Sequence, residues 1–428
     1  MIRCRSLAER RFTAAEILWV PLAGVALGQR FVFPGVSVAD LCLGAFVLLA
    51  LREQRGAPWT LPRWTPWLVG FVAWALVAGL VAARDPFFSA VEFARSAVKL
   101  VFYTASALVL ARTVDAAGIE RTGQIAGRLF AISAALAIAI YLALFAHVPL
   151  PYDLICGHPE CRSAYYYELR WFGEGSARGL TDSVFLRAQG LAGEPARLGL
   201  LLGLALAFLL LSRRVRPSPA ACAVVAVAAV LTFSLAGYAL LLPVLALFGL
   251  RLLRASRHQR RWAAGVLAAL FAVAALPPVA RTLKRSIVVR SQRILEGRAD
   301  SSARLRVVGS WDLAVLLARE HPVTGVGLGN FDVRVTQVAP LTPGGHMIDH
   351  NVQGWNALAY VLATTGTVGL VLFVLLVYAA LRPQPALAIV FLIGMFADGT
   401  VLGPAFWTFL VLFAAGGERE PPPTAPTG

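Results

Sequence analysis

LGLLLGLALAFLLL, residues 198–211, decides the fold class of this chain, because the stretch contains no charged side chain. AACAVVAVAAVLTF at 220–233 and VGLVLFVLLVYAAL at 368–381 repeat the pattern. Of the 428 residues, 58% are hydrophobic and 14% are charged, whereas soluble domains have about 45–50% and about 25%. A bilayer core about 30 Å thick requires about 20 apolar residues per helix, and several runs approach that length. The sequence therefore predicts a membrane protein and excludes an ordinary soluble domain.

Two further classes are excluded by how the residues are distributed. A porin-like barrel would show short strands of alternating hydrophobicity, and that pattern is absent. The net charge of +16 would suit a nucleic-acid partner, but the basic residues lie in the gaps between apolar runs. We therefore predict an all-α polytopic membrane protein, with membrane lipids and no nucleic acid among its partners.

Twelve transmembrane helices are predicted from the apolar runs. The first residues resemble the basic flank of a signal peptide, but no convincing cleavage site follows, so a retained first helix is expected. The predicted helices occupy about 13–30, 36–51, 65–83, 88–111, 125–146, 196–212, 219–234, 237–253, 262–280, 353–381, 384–397 and 399–416.

Basic residues in alternate connections give the orientation. An even number of helices places both termini on one side, and the positive-inside rule assigns that side to the cytoplasm. The connections assigned to the cytoplasm contain Arg52, Arg55, Arg63, Arg112, Arg121, Arg213, Arg214, Arg216, Arg251, Arg254, Arg257, Arg260 and Arg261.

This topology leaves two long periplasmic loops, the larger between helices nine and ten. The resulting parts are helices one to five in 1–146, the first loop in 147–195, helices six to nine in 196–280, the large loop in 281–352, helices ten to twelve in 353–416, and a Pro-rich tail, expected to be disordered and cytoplasmic, in 417–428.

The first periplasmic loop contains the pair Cys156 and Cys161 in the stretch CGHPEC. In an oxidising compartment the two thiols are expected to form a disulfide, and the alternative is two unpaired thiols. A zinc site that included His158 would have too few ligands.

The charge of the larger loop departs from the positive-inside trend. Residues 281–306 contain eight Lys or Arg and two acidic residues, a net charge of +6. One interpretation is an amphipathic segment that contacts anionic lipid headgroups. The other is an anionic substrate at this face, because guanidinium groups bind phosphate oxygens in a bidentate manner.

The spaced glycines Gly325, Gly327 and Gly329 superficially resemble a phosphate-binding loop. A nucleotide fold is rejected, since no Lys-Ser/Thr follows them and no βαβ pattern surrounds them. We expect these glycines to let the backbone bend tightly against a helix end.

His350 is predicted to open helix ten at the membrane surface. A histidine there is either a capping residue or a general base that acts near neutral pH. The arginine-rich segment before it favours the second interpretation.

Charged residues within two predicted helices are also candidates. Glu92, Arg95 and Lys99 recur at helical spacing and should share one face. Charges within a span usually face protein or water, so they either line an inner cavity or belong to a segment that lies along the membrane interface. Glu194 and Arg197 at the start of helix six are expected to form an ion pair or to line the same cavity.

Several stretches together resemble the shared domain of the O-antigen ligase and O-antigen polymerase family, and the layout is that of an O-antigen ligase. The resemblance covers roughly 186–372 by motif and nearly the whole chain by topology. The motifs are LRAQGLAGEPARLGL (186–200), SSARLRVVGSW (301–311), HPVTGVGLGNF (321–331) and HN-x8-Y-x5-G-x2-G (350–369).

The resemblance implies a metal-independent, inverting glycosyltransferase of GT-C-like architecture in the bacterial inner membrane, with its active site in the large periplasmic loop. Its donor would be a glycan on undecaprenyl diphosphate and its acceptor the lipid A core, with no cofactor. Arg187 and Arg304 would hold the diphosphate, while His350 would assist the acceptor hydroxyl. The supporting residues would be Arg197, Glu194, Arg306, Arg290 and Asn351.

One departure and three alternatives accompany this interpretation. Relatives often have a Ser-Arg-Ser-type segment near helix seven or eight, where this chain has FSLAGY at 233–238, so any role assigned to that segment does not transfer. The same motifs suit a polymerase that joins lipid-linked repeat units, and a protein O-glycosyltransferase is a further alternative. A transporter or flippase is disfavoured because the chain shows no internal halves.

Overall fold

The computed structural model shows an all-α chain. It describes residues 12–28, 31–33, 36–53, 60–146, 148, 188, 190–192, 195–253, 257–284, 288, 292, 309–338, 356–397 and 403–416. The helices are α1 (Ala14–Leu27), α2 (Val38–Glu53), α3 (Thr65–Ala82), α4 (Ala90–Ala117), α5 (Ile119–Phe145), α6 (Pro195–Leu211), α7 (Pro219–Leu231), α8 (Leu235–Leu253), α9 (Arg257–Ala275), α10 (Pro277–Leu283), α11 (Ser310–Glu320), α12 (Phe331–Val338), α13 (Ala357–Leu381), α14 (Pro385–Ala397) and α15 (Pro404–Ala415). A short antiparallel pair, β1 (Phe31–Phe33) and β2 (Val36–Ser37), lies between α1 and α2, and a 3-10 turn covers Gly190–Ala192.

Five of these helices are long and apolar enough to cross a membrane: α3, α4, α5, α8 and α13. Five more apolar helices, with 10–17 residues, are shorter than a full span. A helix occupies each range in which one was predicted, so the apolar runs located the helices correctly. How many of them cross the bilayer remains a prediction.

Local sequence signals set the helix starts. Thr13 and Glu16 form a reciprocal capping box at the start of α1, and the Ser89 hydroxyl accepts a hydrogen bond from Glu92 N at the start of α4. Proline occupies the first turn of α3, α7 and α15, where its missing N–H leaves no hydrogen bond unmade.

Several helix boundaries differ from the prediction, and three of them bear on the site. α4 continues to Ala117 and α5 begins at Ile119, because polar residues can extend a helix beyond the apolar run that marks it in the sequence. α13 begins at Ala357, with Asn356 as its N-cap residue. The prediction that His350 opens this helix is therefore wrong, because an asparagine six residues later provides a stronger N-cap signal.

Two hydrophobic cores organise the described residues. The larger core fills the helix bundle, where α6 packs against α7, α8 and α14. The backbones of α6 and α8 approach closely at Gly199 and Gly237, so that a Cβ on either would meet the Cα of the other at 3.0 Å. The smaller core joins α11, α12 and the first part of α13 through side chains that include Leu317, Phe331 and Leu362.

Candidate functional site

Most residues predicted for the active site lie outside the described residues. Among the residues predicted for this site, Arg197 is described, half-buried in the first turn of α6. The others are Arg187, Arg304, His350, Glu194, Arg306, Arg290, Asn351, Cys156 and Cys161. The described segments that adjoin them show how the surrounding scaffold is built.

The segment that follows Arg187 is fixed to the turn between α7 and α8. Ala188 N donates to Leu231 O at 2.9 Å, and Gly190, with φ 53°, packs against Ala137 of α5. A left-handed conformation at this contact explains why glycine occupies position 190 in the motif LRAQGLAGEPARLGL (186–200), which contains the pattern R-x2-G-x4-P. Pro195 of the same motif is the first residue of α6.

FSLAGY, residues 233–238, begins in the turn that follows Leu231. Phe233 is fully buried with φ 45°, an uncommon conformation for a residue with a side chain. The Tyr238 hydroxyl donates to Val230 O at 2.7 Å, and Gly237 N donates to Ser234 Oγ at 3.3 Å. In this chain the segment therefore has a structural role in closing the turn.

Helix α13 is interrupted within its length at Gly366, which has φ 68° and ψ −170°. This conformation is essentially restricted to glycine. It separates a first half-helix, residues 357–365, from the longer remainder of α13, residues 367–381. The first half is called the outer half-helix because the predicted topology places it on the periplasmic side. The interruption removes several carbonyl groups from the helical hydrogen-bond ladder, and such groups must find other donors inside a membrane protein.

The segment after α11 supplies most of those donors. Val326 N donates to Ala363 O at 2.9 Å, and Gly327 N donates to Thr364 O at 3.0 Å. The third carbonyl, that of Thr365, accepts a 2.9 Å hydrogen bond from Trp74 Nε1 of α3. Together these donors satisfy three successive carbonyls at the break.

The glycines of the stretch HPVTGVGLGNF make this fit possible. Gly325, Gly327 and Gly329 all have positive φ, at 65°, 88° and 75°. A Cβ on Gly325 would meet Ala363 O at 2.5 Å, and one on Gly329 would collide with the backbone of Glu92. The expectation that these glycines bend the backbone tightly is confirmed, although the partner of Gly325 is a break within a helix.

Polar side chains hold the other end of this segment. Asn330 is fully buried, its Oδ1 accepts from Ser89 N at 2.6 Å, and its Nδ2 donates to Leu328 O at 3.3 Å. Gly329 N donates to the hydroxyl of Tyr360, on the outer half-helix, at 3.3 Å. The start of α4, the segment 321–331 with its three glycines (the glycine segment) and the outer half-helix are thus bonded into one unit.

An ion-pair network links α11 and α12 to the turn between α3 and α4. Arg334 Nη2 lies 2.6 Å from Glu320 Oε2 and 3.7 Å from Asp85 Oδ2, and its guanidinium carbon lies 5.0 Å from the ring centre of Phe87. His321 Nε2 lies 3.2 Å from the same Asp85 oxygen. The network therefore fixes the helix from which the chain continues toward His350.

A more exposed group of charges lies beside this network. Arg95 Nη1 lies 2.8 Å from Glu92 Oε1, so these two residues share a helix face as predicted. Partial desolvation of the Asp332 carboxylate raises its pKa to about 6, and repulsion from the negative charge of Glu92 makes a smaller contribution in the same direction.

We expect Arg334→Ala to lower the free energy of unfolding by about 1–3 kcal/mol, because it leaves the Glu320 carboxylate without its closest cation. The measurement is thermal unfolding of the purified protein in detergent. Arg95→Ala is the matched control, since its pair with Glu92 is far more exposed and should contribute about 0–1 kcal/mol. Equal losses in the two variants would contradict a structural role for the Arg334 network.

Sequence reasoning missed Trp74, Asp85, Arg334 and Asn356. The first three act through contacts that are distant along the chain, and periodicity carries no signal for such contacts. Asn356 did have a signal, because asparagine before an apolar run is a common N-cap.

Comparison with known proteins identifies the domain. Residues 220–374 match the family model described as O-antigen ligase. No curated protein matches the chain. The matched range runs from α7 into α13 and includes Arg304, His350, the glycine segment and the break at Gly366, whereas Arg187 precedes it. The family resemblance read from the sequence motifs is confirmed.

Proposed function

This chain carries an O-antigen ligase family domain, and from that premise we propose that it transfers a glycan from undecaprenyl diphosphate to the lipid A core oligosaccharide at the periplasmic face of the bacterial inner membrane. The observation that carries the proposal is the domain match itself, which includes the basic loop, the glycine segment and the interrupted helix. The five long apolar helices support placement in a membrane. Twelve spans with both termini in the cytoplasm complete the proposed topology.

The proposed chemistry begins with the leaving group. When the bond between sugar and diphosphate breaks, negative charge builds on the phosphate, and cations placed in advance stabilise that charge. Arg187 and Arg304 hold the diphosphate in this scheme. The fixing of Ala188 to the turn between α7 and α8 supports a defined position for its neighbour Arg187.

His350 takes the proton from the attacking acceptor hydroxyl, which inverts the configuration at the anomeric carbon. The nearby Asn356 and the outer half-helix provide a rigid support immediately after the segment that contains it. The arginines Arg197, Arg290 and Arg306, together with Glu194 and Asn351, are proposed to line the same cavity.

The reaction is proposed to need neither metal nor cofactor. Many glycosyltransferases bind a metal through an Asp-x-Asp pair, and the two outer loops of this sequence contain no such pair. Guanidinium groups in residues 281–306 provide the positive charge instead.

The proposal is tested by reconstituting the purified protein with lipid-linked glycan and two competing acceptors, lipid A core and a lipid-linked repeat unit. We expect extension of the lipid A core at the same rate with and without a chelator. Extension of the repeat unit would assign a polymerase. Transport of the glycan lipid without covalent transfer would reject the enzyme, and loss of activity on chelation that added Mg²⁺ restores would reject the metal-independent mechanism.

A further inference from the structure

The side-chain amide of Asn356 has a fixed orientation. Its Oδ1 accepts hydrogen bonds from Leu358 N and Ala359 N, both at 3.1 Å, as the N-cap of α13. An amide nitrogen could not accept these bonds, so the oxygen must face the helix and Nδ2 must point away from it. The helix start thus determines where the amide donor lies.

This donor is buried and has no hydrogen-bond partner among the described residues. Asn356 is 0% exposed, and its Nδ2 is one of a few side-chain atoms of the described segments in that condition. A buried donor left unsatisfied destabilises a protein by about 1–3 kcal/mol. Since serine would cap the helix equally well without this penalty, the amide needs an explanation other than capping.

The surroundings of Asn356 favour an anionic oxygen as the missing partner. The residue stands at the N-terminus of the outer half-helix, residues 357–365, and the partial positive charge at a helix N-terminus attracts anions. The outer half-helix behind it is fixed at Gly366 through the hydrogen bonds from Val326, Gly327 and Trp74, so the donor is held in place before any ligand binds.

We propose that Asn356 Nδ2 donates a hydrogen bond to a phosphate oxygen of the lipid diphosphate, as a binding residue in addition to the arginines of the proposed function. The proposal rests on the proposed function. Asn356 follows His350 by six residues, which places it on the chain directly after the proposed reaction centre. A buried hydrogen bond to a charged oxygen is stronger than one in water.

The test compares Asn356→Ser with the wild type, because serine keeps the cap and removes the amide donor. We expect the variant to bind undecaprenyl diphosphate about tenfold to hundredfold more weakly, as loss of one hydrogen bond to a charged group predicts. We also expect it to unfold at the same temperature as the wild type or higher, since an unsatisfied donor has been removed. A purely structural asparagine would show the opposite change in stability.

Thr13→Ala is the control, because it removes the capping box of α1 without touching this region. It should lower the unfolding temperature and leave the binding of undecaprenyl diphosphate unchanged. Wild-type affinity in Asn356→Ser overturns the proposal, and so does a lower unfolding temperature, because that result would assign the amide a structural role. Binding of undecaprenyl diphosphate is measured separately from glycan transfer. A wild-type protein that binds the diphosphate but transfers no glycan would reject the proposed function, and the binding measurement on Asn356→Ser would still decide the role of Asn356.

Discussion

His350→Ala should leave the protein folded and reduce glycan transfer by about two to four orders of magnitude, the usual contribution of a general base. The acceptor hydroxyl is a weak nucleophile, and removing its proton in the transition state is the step assigned to this imidazole. The effect should appear mainly in kcat, because the arginines bind the donor. The rate is measured with lipid-linked glycan and lipid A core in reconstituted membranes.

His258→Ala is the matched control for this experiment. His258 lies at the start of α9, on the side that the positive-inside rule assigns to the cytoplasm, so transfer should be unaffected. A general base also predicts a pH profile in which activity falls as the imidazole becomes protonated. A His350→Ala protein that transfers glycan at the normal rate would refute the assignment.

The sequence predicted the helical scaffold well because long apolar runs leave few structural alternatives. A segment such as 198–211 must bury its backbone polar groups in its own hydrogen bonds when it enters a bilayer, so a run of apolar residues locates a helix. The boundaries were less predictable, since the polar residues before Ile125 continue the helix α5 back to Ile119 without adding to its hydropathy.

The interruption of α13 had no comparable signal. Glycine is frequent in membrane helices, so the presence of Gly366 in an apolar run does not predict that the helix is interrupted there. The break forms because residues distant in sequence, Val326, Gly327 and Trp74, donate to the released carbonyls. Gly366 belongs to the G-x2-G part of the family motif. Its physical reason is the contact with the glycine segment, which lies far away in sequence.

The site residues assigned from the family motifs stay predictions, and the contacts that support the described scaffold around them were not predicted. The shared face of Glu92 and Arg95 followed directly from helical spacing. The pairing of Arg334 with Asp85 and Glu320 depends on how α12 docks against the turn between α3 and α4. No local pattern encodes that docking, because each partner alone is an ordinary charged residue near a helix end.

Gly366→Ala should lower the stability of the protein more than most single substitutions, and transfer should be nearly lost. Alanine is strained at φ 68° and ψ −170°, and its Cβ would also collide with the backbone carbonyl of Val323. The collision involves backbone on both sides, so a rotamer change cannot relieve it. The glycine segment must then leave the break, which exposes the carbonyls of Ala363 and Thr364 and releases the outer half-helix that Asn356 caps.

Gly118→Ala separates the two sources of this effect. Gly118 has φ 79° and ψ 142° at the end of α4, a similarly restricted conformation, but a Cβ there would meet no other atom within 4 Å. Gly118→Ala should lower the free energy of unfolding by the cost of backbone strain alone, about 1–3 kcal/mol. The folded fraction of this variant should retain glycan transfer. A Gly366→Ala protein with the same unfolding temperature and activity as Gly118→Ala would mean that the glycine segment does not hold the outer half-helix, and its support of the reaction centre would have to be abandoned.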